Sequence, residues 1–376
     1  MPERTKLQAV RRQLGYSAAK TIAMLERQAR ADQITIMTPT SLKTKLSRWE
    51  NGHESVGLPE YRRLFREIYG RTNAELGFPD ERPDGPADEL RDRIAVARRV
   101  DAATVAAFHG QIEQARVVDR QFGGVHHLDQ LRHQIDHMEE LLTHLPAVGH
   151  RAALAGALTE ASALAGWQAL DREDHTQAWA HHERAKHAAR EAGSPFLLAH
   201  ATAQQTVILL ALDDTALAVE QAAYARSIAT GGPALMRAWL AAAHGETLAA
   251  AGDRDAALRA FDDAYGLLPV DPVDPALPYL FLGGAHLDRW RGNALALVGD
   301  EEALDQLTAA LARVPPTWAR ARTRLLVDLA YAHAAAGDRD AALDRAREAR
   351  AIARQISSDR QLRRLDRLVL PQGRPA

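Results

Sequence analysis

The chain is predicted to be all-α, with a small helical domain followed by a solenoid of helical hairpins. Three observations carry this. Alternating β-branched segments are almost absent, and proline and glycine fall between apolar blocks of helical spacing. A nonapeptide, Ala250 to Leu258 (AAGDRDAAL), recurs letter for letter from Ala335 to Leu343. Charge is also unevenly placed. Residues 1–78 hold fourteen Lys and Arg against eight Asp and Glu, a net +6, while the whole chain stands at −2 and the remainder therefore at −8. A basic head on an acidic body is the footprint expected when only the head meets phosphate.

The totals set further bounds. A length of 376 residues exceeds one small core, so two or more domains are expected. There is no cysteine, which excludes disulfides, thiolate metal sites and cysteine nucleophiles. No apolar run reaches the length of a membrane span and Met1–Val10 is polar, so the chain reads as cytoplasmic, without membrane partners.

Residues 5–70 read as four or five short helices. Leu7, Val10 and Leu14 form the first apolar stripe, ended by Gly15, and Ser17 caps a second helix carrying Ala18, Ile22, Leu25 and Ala29. Arg30 to Pro39 reads as a lengthened second helix plus a loop, with Thr38 or Thr40 capping the next helix and Pro39 in its first turn. In Ser41–Gly52 (SLKTKLSRWENG), Leu42, Leu46 and Trp49 make one apolar face. Lys43, Thr44, Lys45, Ser47 and Arg48 fall on or beside the opposite face, and Asn51-Gly52 stops the helix. A short helix seated by Leu and Trp, with basic and hydroxyl groups outward, suits major-groove reading. An ordinary amphipathic surface helix has the same pattern. From Pro59 onward, Tyr61, Leu64, Phe65, Ile68 and Tyr69 form a wide apolar face, with Arg62, Arg63 and Arg66 pointing away as phosphate contacts or as a solvated face. The proline- and glycine-rich GFPDERPDGP (77–86) ends this head, giving a domain over 1–78 and a linker over 79–86.

Residues 87–150 read as a helical connector. Leu128, Leu131, Ile135, Met138, Leu142 and Leu145 form a seam of three heptads, which packs inside the domain or pairs two copies. His126, His133, His137 and His144 share the opposite face. His133 and His137 have the reach to share a metal, but no carboxylate-and-histidine set completes a site, and neither metal nor cofactor is expected.

Anchoring on the Asp of the nonapeptide gives Asp174, Asp214, Asp253, Asp300 and Asp338, spaced by 40, 39, 47 and 38 within residues 151–358. Four residues after each anchor stand Ala178, Ala218, Ala257, Leu304 and Ala342, and eleven after it Ala185, Ala225, Ala264, Leu311 and Ala349. Eight before it stand Gly166, Thr206, Gly245, Gly292 and Ala330. Small residues here let paired helices approach closely. Leu304 and Leu311 depart from this, and four prolines (269, 272, 275 and 278) precede them, so the fourth hairpin is expected to be splayed. Arg360 to Leu370 reads as a terminal capping helix, with 359–376 forming cap and tail.

Two resemblances follow. Ser47-Arg48-Trp49-Glu50-Asn51-Gly52 resembles the end of the recognition helix of the lambda-repressor/Xre helix-turn-helix family, although the connection between the second and third helices is longer than that family's. The anchored repeats resemble tetratricopeptide repeats. Together they resemble the bacterial peptide-responsive quorum regulators. That resemblance implies a sequence-specific transcriptional regulator that binds double-stranded DNA as a homodimer. Lys43, Thr44, Lys45 and Ser47 would then meet base edges, and Arg48, Arg62 and Arg63 phosphates. It also implies a concave groove for a short peptide or small effector. The family's inward positions fall here on Glu160, Trp167, His200, Trp239, Glu246, His286, Arg289, Asn293, Arg324 and Tyr331. Glu50 and Trp49 would hold the reading helix in place. The alternative is a tetratricopeptide scaffold that binds another protein's tail. No enzyme is expected, since no phosphate loop, nucleophile elbow or HExxH occurs.

Overall fold

Four of the five anchor aspartates cap a helix. Asp174, Asp214, Asp253 and Asp338 each accept a hydrogen bond from the backbone N–H three residues on, at 3.0–3.1 Å. This is the N-cap role that short acidic side chains perform best. The residue before each anchor turns the chain in the left-handed region: Gly252, Gly299 and Gly337 do so without strain, whereas Glu173 and Asp213 do so at φ 63°.

A computed structural model describes residues 5–32, 34–79, 86–124, 128–146, 149–283 and 285–371, with the side chains of 86–88 left aside. The described residues form nineteen α-helices and no strand. No helix among them is long and apolar enough to cross a membrane. They divide into two compact units at Asp92/Arg93. The expected linker lies largely outside the described residues, as does His126.

The first unit holds α1 (Lys6–Gln13), α2 (Ala18–Ala31), α3 (Pro39–Glu50), α4 (Pro59–Tyr69) and α5 (Asn73–Leu76). Thr38 is the cap of α3, accepting from the Ser41 N–H, and Pro39 occupies its first turn. Leu25, Leu42, Leu46, Leu64 and Phe65 are fully or almost fully buried and form one core. Trp49 meets Phe65 edge-on, with ring centroids 6.0 Å apart. The helix α6 (Pro86–Ala97) spans the division between the units.

The second unit opens with α7 (Ala102–Phe122) and α8 (Leu128–His144). Five helix pairs follow. They are α9 (Arg151–Asp171) with α10 (His175–Glu191), α11 (Pro195–Ala211) with α12 (Thr215–Ile228), and α13 (Ala234–Ala250) with α14 (Arg254–Leu267). Then come α15 (Ala285–Leu297) with α16 (Ala303–Arg313), and α17 (Ala319–Ala335) with α18 (Arg339–Gln355). A short α19 (Asp359–Asp366) is the last described helix, shorter than the helix expected from Arg360 to Leu370. Within each pair the helices pack along each other, and α9, α11, α13, α15 and α17 also pack on one another in sequence.

The heptad seam of α8 is spent inside the unit. Leu131, Ile135 and Met138 are at most 1 % exposed and share a core with Leu154 and Leu158 of α9. It is therefore not free to pair with a second copy. Small residues mark the close approaches. A Cβ built on Gly245 would stand 2.7 Å from the Phe261 ring, and one on Gly166 2.8 Å from His182 Nε2. The expected splaying of the fourth pair is not found, since α16 packs along α15. After Gly299 a turn delays the start of α16, so the small, buried places fall one residue earlier, on Ala303 and Ala310. Leu304 and Leu311 move to a half-buried flank.

Two substitutions test this account through urea unfolding. Gly245→Val drives a branched side chain into the fully buried Phe261 ring and is expected to cost about 2–3 kcal/mol. Asp213→Gly relieves a strained left-handed residue and is expected to stabilise by about 1 kcal/mol.

Candidate functional site

The outward face of α3 is set by what its inward face is tied to. Glu50, 4 % exposed, is gripped by Arg11 of α1, whose Nε and Nη2 donate to its two carboxylate oxygens at 2.5 and 2.7 Å. The Thr5 hydroxyl donates to the Glu50 carbonyl at 2.8 Å. With Leu42, Leu46 and Trp49 buried, the helix is held at its end and along its length. Lys43, Thr44, Ser47 and Arg48 are exposed. Lys45 is half-buried and ion-paired with Glu54, whose carboxyl it holds below the usual range, and Arg48 lies 3.4 Å from the same carboxylate. Arg62 donates to the Val56 and Gly57 carbonyls at 2.6 and 3.0 Å, bracing the loop after α3. Arg63 lies 3.0 Å from Glu67 and 3.3 Å from Asp32. These two arginines therefore brace the head as it stands.

In the second unit, the inner helices surround a cavity of about 270 Å³. Of the ten positions expected to face a groove, Glu160, Trp167, His200, Trp239, Glu246, His286, Arg289 and Arg324 line it. Asn293 and Tyr331 do not. Asn293 sits in an adjoining cleft and donates to Glu246 at 3.3 Å. The Tyr331 hydroxyl donates to the Arg364 carbonyl at 2.6 Å. Both continue the same helix faces, but those faces outrun the cavity: seventeen residues of α17 extend about 25 Å.

Other walls come from segments that carried no repeat signal. The stretch between α14 and α15 folds inward, burying Leu277, Leu280 and Leu282 and placing Tyr279 and Phe281 against the cavity. The helix α7 lies against both α9 and α17, and α19 touches α9, α17 and α18. The row of inner helices is thus closed upon itself. Four of the six tryptophans (167, 239, 290 and 318) line the enclosed space. His200 lies 4.9 Å from Trp239 and 4.7 Å from Tyr279, centroid to centroid.

Closure is sealed by charge. Arg320, 14 % exposed, reaches Asp119 of α7 at 2.7 Å and Asp171 of α9 at 2.8 Å. Asp171 also accepts from the Ser358 hydroxyl at 2.7 Å, and Asp119 from Gln168 at 3.2 Å. Burial raises the Asp119 carboxyl, with Arg320 pulling against it. Around the wall, Arg116 pairs with Glu160 at 2.5 Å, Arg120 with Glu113 at 3.0 Å, and Arg324 with Glu246. Arg289 differs. It is 7 % exposed and has no carboxylate within ion-pair distance among the described residues. Burial, with Arg324 nearby, pushes its guanidinium down to about 9, which leaves it charged at neutral pH.

Burial also holds four histidines neutral. It lowers His182, His200 and His286 to about 3 and His181 to about 4, from an ordinary value of 6.5. Between those values and pH 6.5 the unfolded chain binds more protons than the folded one. The stability that neutral burial provides is therefore complete above pH 6.5 and is lost as pH falls toward 4. Each histidine contributes at most about 1.4 kcal/mol per pH unit. Urea midpoints are expected to fall steadily from pH 6.5 to 4.5, and His182→Gln with His200→Gln should flatten that slope. A flat profile in the unsubstituted protein would contradict it.

No protein-family model matches this chain, and no curated protein does.

Proposed function

We propose that this protein is a sequence-specific DNA-binding transcriptional regulator whose second unit holds an effector. The observation that carries the reading is the seating of α3. Its apolar face and terminal carboxylate are locked to α1 and α4, while Lys43, Thr44, Ser47 and Arg48 stand exposed together. A reading helix needs this combination, because base-edge contacts demand a rigid, donor-rich face that fits the major groove. The first unit would be a helix-turn-helix domain of the Xre type, and the five helix pairs would be tetratricopeptide-type repeats. Lys43, Thr44 and Ser47 would meet bases and Arg48 a phosphate. Lys45, Arg62 and Arg63 would first have to leave the partners they now hold. The active species would be a homodimer reading two half-sites about one helical turn, or roughly 34 Å, apart. An effector lodged among the inner helices would act by favouring or opposing the closure at Arg320.

Selection from random duplexes with the full chain is the direct test, with one enriched sequence expected. A chain that binds scrambled and selected duplexes alike would defeat the proposal. On the selected site, affinity should fall steeply with salt. Arg48→Ala, which removes the phosphate contact, should reduce the slope of log K against log salt by at most about 0.9. Lys45→Ala should reduce it by less, because Glu54 already neutralises that charge.

A further inference from the structure

The cavity presents an aromatic wall together with donors that nothing in the protein answers. Arg289 Nε and Trp290 Nε1 are buried without a hydrogen-bond partner, and both residues line the cavity. The Arg289 guanidinium carbon lies 5.9 Å from the Trp290 ring centroid, so the two donors belong to one corner. Guanidinium and indole nitrogens only donate. What they lack is therefore an acceptor, and beside a buried unpaired cation the fitting acceptor is an anion. The other arginines of the wall already hold carboxylates, Arg320 holding two, so the contact left open at Arg289 suits one carboxylate.

Size and surface define the rest. A dry cavity of roughly 150 Å³ accommodates benzene, so about 270 Å³ suits one aromatic or fused-ring body with a short acidic arm. Trp239, Tyr279 and His200 form a packed aromatic cluster that would take such a ring on its faces and edges. An extended peptide of several residues would project beyond this volume into the adjoining cleft. Its path along the inner helices is also crossed by α7 and by the stretch carrying Tyr279 and Phe281.

We propose that this cavity binds a small aromatic monocarboxylate, with its carboxylate on Arg289 and Trp290 Nε1 and its ring among Trp239, Tyr279 and His200. The inference rests on the reading of the second unit as effector-binding and names the chemistry of that effector. The carboxylate supplies the direct contact that Glu246 and Asp328, which act on Arg289 only from beyond ion-pair distance, do not. The aromatic body replaces solvent along the tryptophan wall.

The test uses the full chain without DNA, followed by tryptophan fluorescence and calorimetry. The probes are benzoate, phenylacetate, indole-3-acetate and 1-naphthoate, each with its neutral amide, and an N-acetylated octapeptide of mixed sequence. At least one acid is expected to bind and quench fluorescence, with its amide tenfold or more weaker. Arg289→Met should bring the acid down to the level of the amide without lowering the thermal midpoint, because it removes an unpaired buried charge. Should that variant fail to fold, the acid-to-amide ratio of the unsubstituted protein decides alone. Amides that bind as well as acids, or an octapeptide that binds where the acids do not, would overturn the carboxylate while leaving an effector site standing. Silence from every probe would overturn both. Duplex selection is scored separately, so loss of the DNA-binding reading leaves this result intact.

Discussion

The second unit depends on one buried cation shared between two carboxylates. Arg320 projects from the fifth helix pair to Asp119 and Asp171, which belong to α7 and to the end of α9. Pairs of this kind add little net stability over a well-packed apolar substitute, because desolvation offsets most of the attraction. Removing one partner costs far more, about 3–5 kcal/mol, since the other charge is left stranded. Such a contact therefore specifies geometry more than it strengthens it. A stack of hairpins has nearest-neighbour contacts alone and no inherent reason to close. Arg320 provides that reason. The chain yields space for it: a Cβ on Gly124 would stand 2.5 Å from Gln168, the residue that donates to Asp119. The more exposed pairs nearby, Arg172 with Asp359 and Arg363 with Glu173, lie in water and contribute less.

The head uses the same device at smaller scale. Arg11 and Glu50 form a largely buried two-point pair joining α1 to the end of α3. A planar guanidinium meeting a carboxylate through two hydrogen bonds fixes orientation as well as distance. In both units, apolar burial supplies the bulk of the stabilisation and an arginine sets the alignment.

Much of this was legible in the sequence, for a physical reason. Helix periodicity and repeat spacing are local properties, so the pairs, their anchor aspartates and the small residues at their crossings could be read directly, whereas the capping role of those aspartates emerged with the structure. The inward positions came from the resemblance to tetratricopeptide repeats, and eight of the ten expected residues meet in one cavity. Closure is not local. Arg320 stands four residues before Arg324, one helical turn along the same face, and that spacing marks it as inward. Nothing in the sequence marks Asp119 as its partner across 201 residues. Tyr279 and Phe281 were hidden for another reason. Their segment has no helical period, and its prolines suggested separation. The structure folds it inward, with Pro272 against Gly283. The seam of α8 had two solutions by pattern alone, and packing against α9 selected one.

Closure also changes what the inner surface can do. On an open stack, Glu160, Glu246, Arg116 and Arg324 would be solvated side chains, each free to meet a ligand. Enclosed, they must satisfy one another, and all four are paired. Net charge on the wall then stops being a property of composition and becomes one of matching, decided by the residue left over. The chain outside residues 1–78 carries −8, so at long range this body repels anions. That field is screened within about 8–10 Å at physiological salt, whereas a guanidinium that is 7 % exposed is screened much less over a few ångströms. A body whose net charge opposes anions at long range thus keeps, within its inner wall, a guanidinium that no carboxylate of the wall contacts.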